Sequence, residues 1–154
     1  MRTGVRLGVD VGKVRIGVAR SDLHGMLALP IETVPRGLGD LDRIQALVTE
    51  YEVIEIVVGL PLSLKGTDTA STDDAREFAA RLAALVQLPV RMVDERLSTV
   101  SAQQALRSSG RTTKNSRAVI DQVAAVIILQ HALDAERSGG NAPGSFVRTG
   151  NQGL

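Results

Sequence analysis

Apolar and polar positions alternate with a period of two over the first third of the chain and recur with helical spacing further on, and the change of period marks out the elements. Residues 5–11 and 14–20 carry apolar side chains at alternate positions on either side of Gly12-Lys13, which predicts a hairpin. If that dipeptide is the two-residue turn, Val11 faces Val14, Asp10 faces Arg15 and Gly8 faces Gly17. Residues 26–34 read as a third strand, and Pro30 within it favours a sheet edge, because proline cannot donate to a central ladder. Leu41, Ile44, Leu47 and Val48 predict a helix over 38–51, and Ile54-Glu55-Ile56-Val57-Val58-Gly59 a buried strand. Ser71-Thr72-Asp73-Asp74 has the form of a capping box, opening a helix over 72–86 that closes before Leu88-Pro89. Val90-Arg91-Met92-Val93 is a short strand, followed by a helix near 98–108, a polar stretch over 108–116 and a long helix over 117–136.

This order predicts an α/β fold in one domain, residues 1–138, with a mixed five-stranded sheet and helices on both faces. Residues 139–154, rich in Gly, Asn and Ser, read as a flexible tail. In such sheets ligands collect at the carboxyl ends of the strands. That rule draws together the first strand, the Gly59-Leu60-Pro61 turn and the segment after Val93.

Asp10 is the anomaly of the first strand. Leu7, Val9 and Val11 share one face, while Gly8, Asp10 and Gly12 share the other, so the carboxylate stands between two residues without side chains. A carboxylate in an otherwise apolar segment must be paired, ligated or wet. A cross-strand ion pair with Arg15 would satisfy it; so would a bound cation. After Val93 come two adjacent acids, Asp94 and Glu95, of which only one can share a direction with a given site, and turn chemistry alone accounts for such a pair equally well. Asp121 is the third anomaly. It interrupts a helix that is apolar around most of its circumference, a full turn inside a start at Ser116, with Ala118, Ala124 and Ala125 as small neighbours. Three carboxylates form an oxygen-only donor set suited to Mg²⁺ or Mn²⁺, two ions of which would support hydrolysis of a phosphodiester.

Composition narrows the partners. The formal net charge is +1, yet residues 21–90 hold eleven acids and five bases, whereas residues 96–120 hold Arg96, Arg107, Arg111, Lys114 and Arg117 with no acid. A local basic surface of this kind fits a polyanion, and equally an ordinary solvated surface. Tyr51, Phe78 and Phe146 are the only aromatic residues, which argues against base stacking and for contacts to the phosphate backbone. The absence of cysteine, of a membrane-length apolar run and of an apolar leader leads to the expectation of a cytoplasmic protein with no membrane contact. Monomer and homodimer both stay open, although the edge-strand proline disfavours extension of the sheet at that edge. His24 reads as a loop residue and His131 as a solvent-facing helix residue, neither placed for catalysis.

Gly8-Val9-Asp10-Val11-Gly12 with Arg15-Ile16-Gly17-Val18-Ala19, Gly59-Leu60-Pro61-Leu62 with Gly66, Asp94-Glu95-Arg96-Leu97-Ser98-Thr99, and Ile120-Asp121-Gln122-Val123-Ala124-Ala125 with Ile128-Leu129-Gln130 resemble the successive motifs of the YqgF/RuvX family. They follow in the family's order across residues 8–130. The resemblance implies a ribonuclease H-like fold and a metal-dependent nuclease. It carries the family's acidic triad onto Asp10, Glu95 and Asp121, both as catalytic residues and as metal ligands, and so selects Glu95 over Asp94. It implies structured nucleic acid as substrate, either the 5′ end of precursor 16S rRNA or a Holliday junction in DNA, the former being the leading expectation. Arg15, Arg96, Arg107, Arg111, Lys114 and Arg117 are the expected contacts to nucleic acid. Two other classes stay open on sequence: a nucleotide-binding domain of the sugar-kinase and actin type, which normally needs two such domains, and a non-catalytic nucleic-acid-binding module.

Overall fold

In a computed structural model of the chain, residues 2–94, 114–140 and 143–147 are described, residues 114–121 by their backbone alone. The strands are β1 (Val5–Val11), β2 (Arg15–Ser21), β3 (Ala28–Pro35), β4 (Val53–Leu60), β5 (Val90–Asp94) and β6 (Ser145–Phe146), and the helices are α1 (Asp40–Glu50), α2 (Ala70–Val86) and α3 (Lys114–Gly139). The sheet order is β3-β2-β1-β4-β5-β6. β1, β4 and β5 are mutually parallel, while β2, β3 and β6 each run antiparallel to their neighbour.

Strand alternation divides the sheet between two cores. Leu7, Val9, Ile16, Val18, Ile56 and Val58 pack with Ile44 and Leu47 of α1 and Ala75, Phe78 and Leu82 of α2. On the other face, Ala19, Ala28 and Val57 meet Ala125, Ile128, Leu129, Ala132 and Leu133 of α3. The larger aliphatic and aromatic members of these cores are removed from water, and burying a side chain of that size is worth about 1.5–3 kcal/mol. The mixed sheet with helices on both faces is the expected architecture.

Three details differ from expectation. The sheet has six strands, not five, because Ser145–Phe146, in the segment read as a tail, pairs with Arg91 and Met92. The hairpin register is displaced by two residues: Asp10 lies opposite Gly17, Val11 opposite Ile16 and Gly8 opposite Ala19. The cause is Gly12, which is not a turn glycine with positive φ. Its N–H donates to the carbonyl of Arg15 at 2.9 Å, and a Cβ there would stand 2.5 Å from that oxygen, so Gly12 closes the ladder and Lys13-Val14 forms the turn. The third difference is the cap of α2, which is built from Thr69 and Thr72 rather than from Ser71: each backbone N–H is bound by the other residue's hydroxyl.

Pro30 is on the edge strand, as expected. It sits beside a bulge at which Val18 pairs with Glu32 and Ala19 with Pro30, so the missing donor falls where the ladder is already interrupted. The expected helix near 98–108 lies outside the described residues, as does most of the polar stretch over 108–116.

Candidate active site at the carboxyl ends of the parallel strands

Asp10 stands one residue from the carboxyl end of β1, half-buried, on the face covered by α3. Its surroundings on the sheet are nearly bare of side chains: Gly8 and Gly12 flank it along the strand, Gly17 lies opposite, and on β4 Gly59 follows the Val58 that pairs with Val9. Asp10 thus stands on a floor made largely of glycine backbone.

The helix roof is fixed against this floor. A side chain at Gly8 would collide with Leu129 and with the carbonyl of Ala125, so α3 crosses β1 in backbone contact just below Asp10. Further toward the helix N-terminus, Gln122 Nε2 donates to Thr33 Oγ1 at 3.0 Å. Thr33 pairs with Gly17, and Gly17 with Asp10, so Gln122 spans the row to which Asp10 belongs. Asp121 precedes Gln122 in the helical backbone, at the same end of the sheet as Asp10. β5 ends there as well, Asp94 pairing with Leu60, and the chain leaves it toward Glu95.

Glu95, Arg96, Arg107 and Arg111 lie outside the described residues, and the side chains of Lys114, Arg117 and Asp121 are likewise not described. Among the described residues no group of three His, Cys, Asp or Glu side chains is arranged to hold a metal. Arg15 opens β2, half-buried and paired in register with Pro35. His24 is exposed in the β2–β3 loop and His131 is exposed on α3, as read from the sequence.

One feature of this end of the molecule, the role of Arg36, escaped the sequence reading. Arg36, at the end of β3, donates to the carbonyl of Gly12 at 2.9 Å, forms paired bonds of 2.8 and 3.0 Å to Asp74 on α2 and lies over the Phe78 ring. It braces the β1–β2 turn beside Asp10. The hydrogen bond from Arg36 holds the Asp74 carboxyl below its ordinary range, against the opposing effect of burial. The β4–α2 loop is also fixed: Gly66 N–H donates to the Ser63 carbonyl at 2.8 Å, and the Thr72 hydroxyl donates to the Pro61 carbonyl. Leu64, at its tip beside Lys65, is exposed to solvent.

At the opposite end of the sheet, on the α3 face, lies a cluster of buried charge. Arg6 is 1% exposed, Glu55 2% and Glu136 6%. Arg6 Nη2 donates to Glu136 at 3.0 Å, Arg2 bridges Glu136 and Glu55, and Arg91 donates to Glu55 at 3.2 Å. Burial pushes the Glu136 carboxyl up, and the guanidiniums of Arg2 and Arg6 more than offset it, so it stays below the ordinary glutamate range.

A profile of the RuvX family, described as Holliday junction resolvase, matches residues 4–135. The chain belongs to the RuvX family. Relatives named "Putative pre-16S rRNA nuclease" include that of Clavibacter michiganensis subsp. michiganensis, 63% identical over 96% of this chain and 93% of its own length. That of Leifsonia xyli subsp. xyli is 63% identical over 96% of both chains. Among solved structures, the chain is similar to Thermus thermophilus RuvC in complex with Holliday junction substrate, with a TM-score of 0.59 and 17% identity over 90% of this chain and 99% of that one. A second Thermus thermophilus RuvC structure gives 0.52, with 19% identity and the same coverage. The RuvX chain thus has the ribonuclease H-like fold of RuvC.

Proposed function

We propose that this RuvX-family chain is a metal-dependent nuclease that hydrolyses phosphodiesters of structured nucleic acid in the 5′-end processing of precursor 16S rRNA, in the cytoplasm. The observation that carries the chemistry is the place of Asp10, on a glycine-rich floor near the carboxyl end of β1, with α3, which bears Asp121, packed across the same strand. The rRNA assignment rests on relatives at 63% identity that match over nearly their whole length.

The donor set fits hard divalent cations: Asp10, Glu95 and Asp121 supply only carboxylate oxygen. When bound, Mg²⁺ or Mn²⁺, as a pair of ions, supplies the charge that activates water and stabilises the leaving oxygen. The chain's own residues do the remainder. Asp10 fixes one side of the site on a rigid strand, and Asp121, carried by α3, and Glu95, which follows β5 in sequence, are the other proposed ligands. Arg15, Arg96, Arg107, Arg111, Lys114 and Arg117 are the proposed contacts to flanking phosphates. Arg36 keeps the β1–β2 turn from moving when substrate enters.

A second reading, resolution of Holliday junctions, is favoured by the description of the family itself. Cleavage of precursor 16S RNA and of a four-way DNA junction, in parallel with Mg²⁺ or Mn²⁺, separates the two. Cutting of the RNA alone supports the rRNA assignment, and cutting of the junction alone replaces it.

A further inference from the structure

Buried ion pairs are commonly no more stabilising than apolar side chains of the same volume, so stability alone does not account for Arg6, Glu136 and Glu55 in the interior of a 154-residue chain. An ion pair nonetheless has a property that apolar packing lacks, which is direction. The sheet-facing side of α3 consists of Ala124, Ala125, Ile128, Leu129, Ala132 and Leu133, a surface of small and aliphatic residues. Such packing is non-directional, and a helix with small residues against a sheet can shift along its axis at little loss of buried area. A shift is opposed at three points along the helix: by Gln122 with Thr33 in its N-terminal half, by Leu129 against Gly8 further on, and by Arg6 with Glu136 near its C-terminus.

These interactions join the two elements that bear the site. Arg6, Gly8 and Asp10 are successive residues on one face of β1, and Asp121, Gln122, Leu129 and Glu136 follow one another along α3. We infer that Arg6 and Glu136 are positioning residues for cleavage: their buried ion pair sets the axial position of α3 on β1, and thereby the spacing of Asp121 from Asp10. The inference rests on the reading of Asp10 and Asp121 as metal-holding carboxylates. Arg6 is also held by the carbonyls of Gly4, at 2.7 Å, and Arg2, at 2.8 Å, so its guanidinium is itself immobile and gives the helix a fixed point.

The test is the double variant Arg6→Met/Glu136→Leu, which removes one charge of each sign and leaves the Arg2–Glu55 and Arg91–Glu55 pairs in place. The expected protein is folded, with its thermal midpoint close to that of the native chain. Its kcat falls about tenfold to a hundredfold while KM is unchanged, because a displacement of about 1 Å at a reacting centre is enough for such a loss. Titration with Mn²⁺ in the absence of substrate, followed by calorimetry, shows affinity weakened about tenfold, the scale seen when residues that orient metal ligands are removed. Native kcat and native Mn²⁺ affinity in the folded double variant overturn the inference. If the double variant does not fold, Glu136→Gln, which keeps the shape of the side chain, is measured in the same way; failure of both to fold overturns the positioning role in favour of a purely structural one. Asp10→Asn run in parallel distinguishes the two levels: native cleavage by that variant defeats the reading of the site itself, whatever the double variant does.

Discussion

Gly8 and Leu129 leave no space for a side chain between β1 and α3: a Cβ on Gly8 would stand 2.7 Å from the Cβ of Leu129 and 2.9 Å from the carbonyl oxygen of Ala125. Neither neighbour can yield, since one is the root of a packed side chain and the other is helix backbone. Gly8→Ala therefore lifts α3 from the strand. The expected cost is about 1–3 kcal/mol in a urea melt, the usual range for overpacking, together with a loss of cleavage larger than the loss of folded protein. Native stability would mean that the helix sits further from the sheet.

The buried carboxylate of Glu136 gives stability a defined dependence on pH. Its folded-state pKa is depressed, so the unfolded chain takes up the proton first as pH falls. The stabilisation is complete above about pH 4.3, the ordinary glutamate value, and is lost as pH falls through the lower folded-state value. Asp74 and Glu32, each hydrogen-bonded to an arginine, act in the same direction. Unfolding free energies from urea melts of the native chain and Glu136→Gln are thus predicted to differ at pH 7 and to converge under acid conditions. Parallel curves at all pH values would rule out this role for Glu136.

The basic segment is testable by salt. Every phosphate that a substitution leaves without its cationic partner lowers the slope of log affinity against log salt by about 0.7–0.9. Arg111→Ala/Lys114→Ala is predicted to weaken binding of RNA in a filter or anisotropy assay and to flatten that slope by about 1.5. An unchanged slope would remove both residues from the interface.

Much of this architecture is legible in local pattern. The change from period two to helical spacing locates β1 to β5 and the three described helices, though not β6, and Pro30 identifies the edge strand, since both signals arise from interactions within a few residues. The hairpin register is less legible because Gly12 has two uses that look alike in sequence: it can supply a turn conformation, or it can admit a neighbouring carbonyl, and here it does the second. The charge cluster joins Arg2 to Glu136 across 134 positions, which no local pattern reveals. A signal for it does exist. Arg6 between Val5 and Leu7, Glu55 between Ile54 and Ile56, and Glu136 near the end of an apolar helix are the same kind of anomaly as Asp10 and Asp121. The rule that a charge in an apolar segment needs a partner applies to all five.

The proposed chemistry depends above all on Asp10 acting as ligand and catalyst rather than as part of the frame. The most direct measurement is single-turnover cleavage of precursor 16S RNA with Mg²⁺ by the native chain and by Asp10→Asn, with RNA affinity measured on both. The variant is expected to fold, to bind RNA at least as tightly as the native chain and to lose cleavage by several orders of magnitude. Equal cleavage by the two proteins would show that Asp10 takes no part in the chemistry.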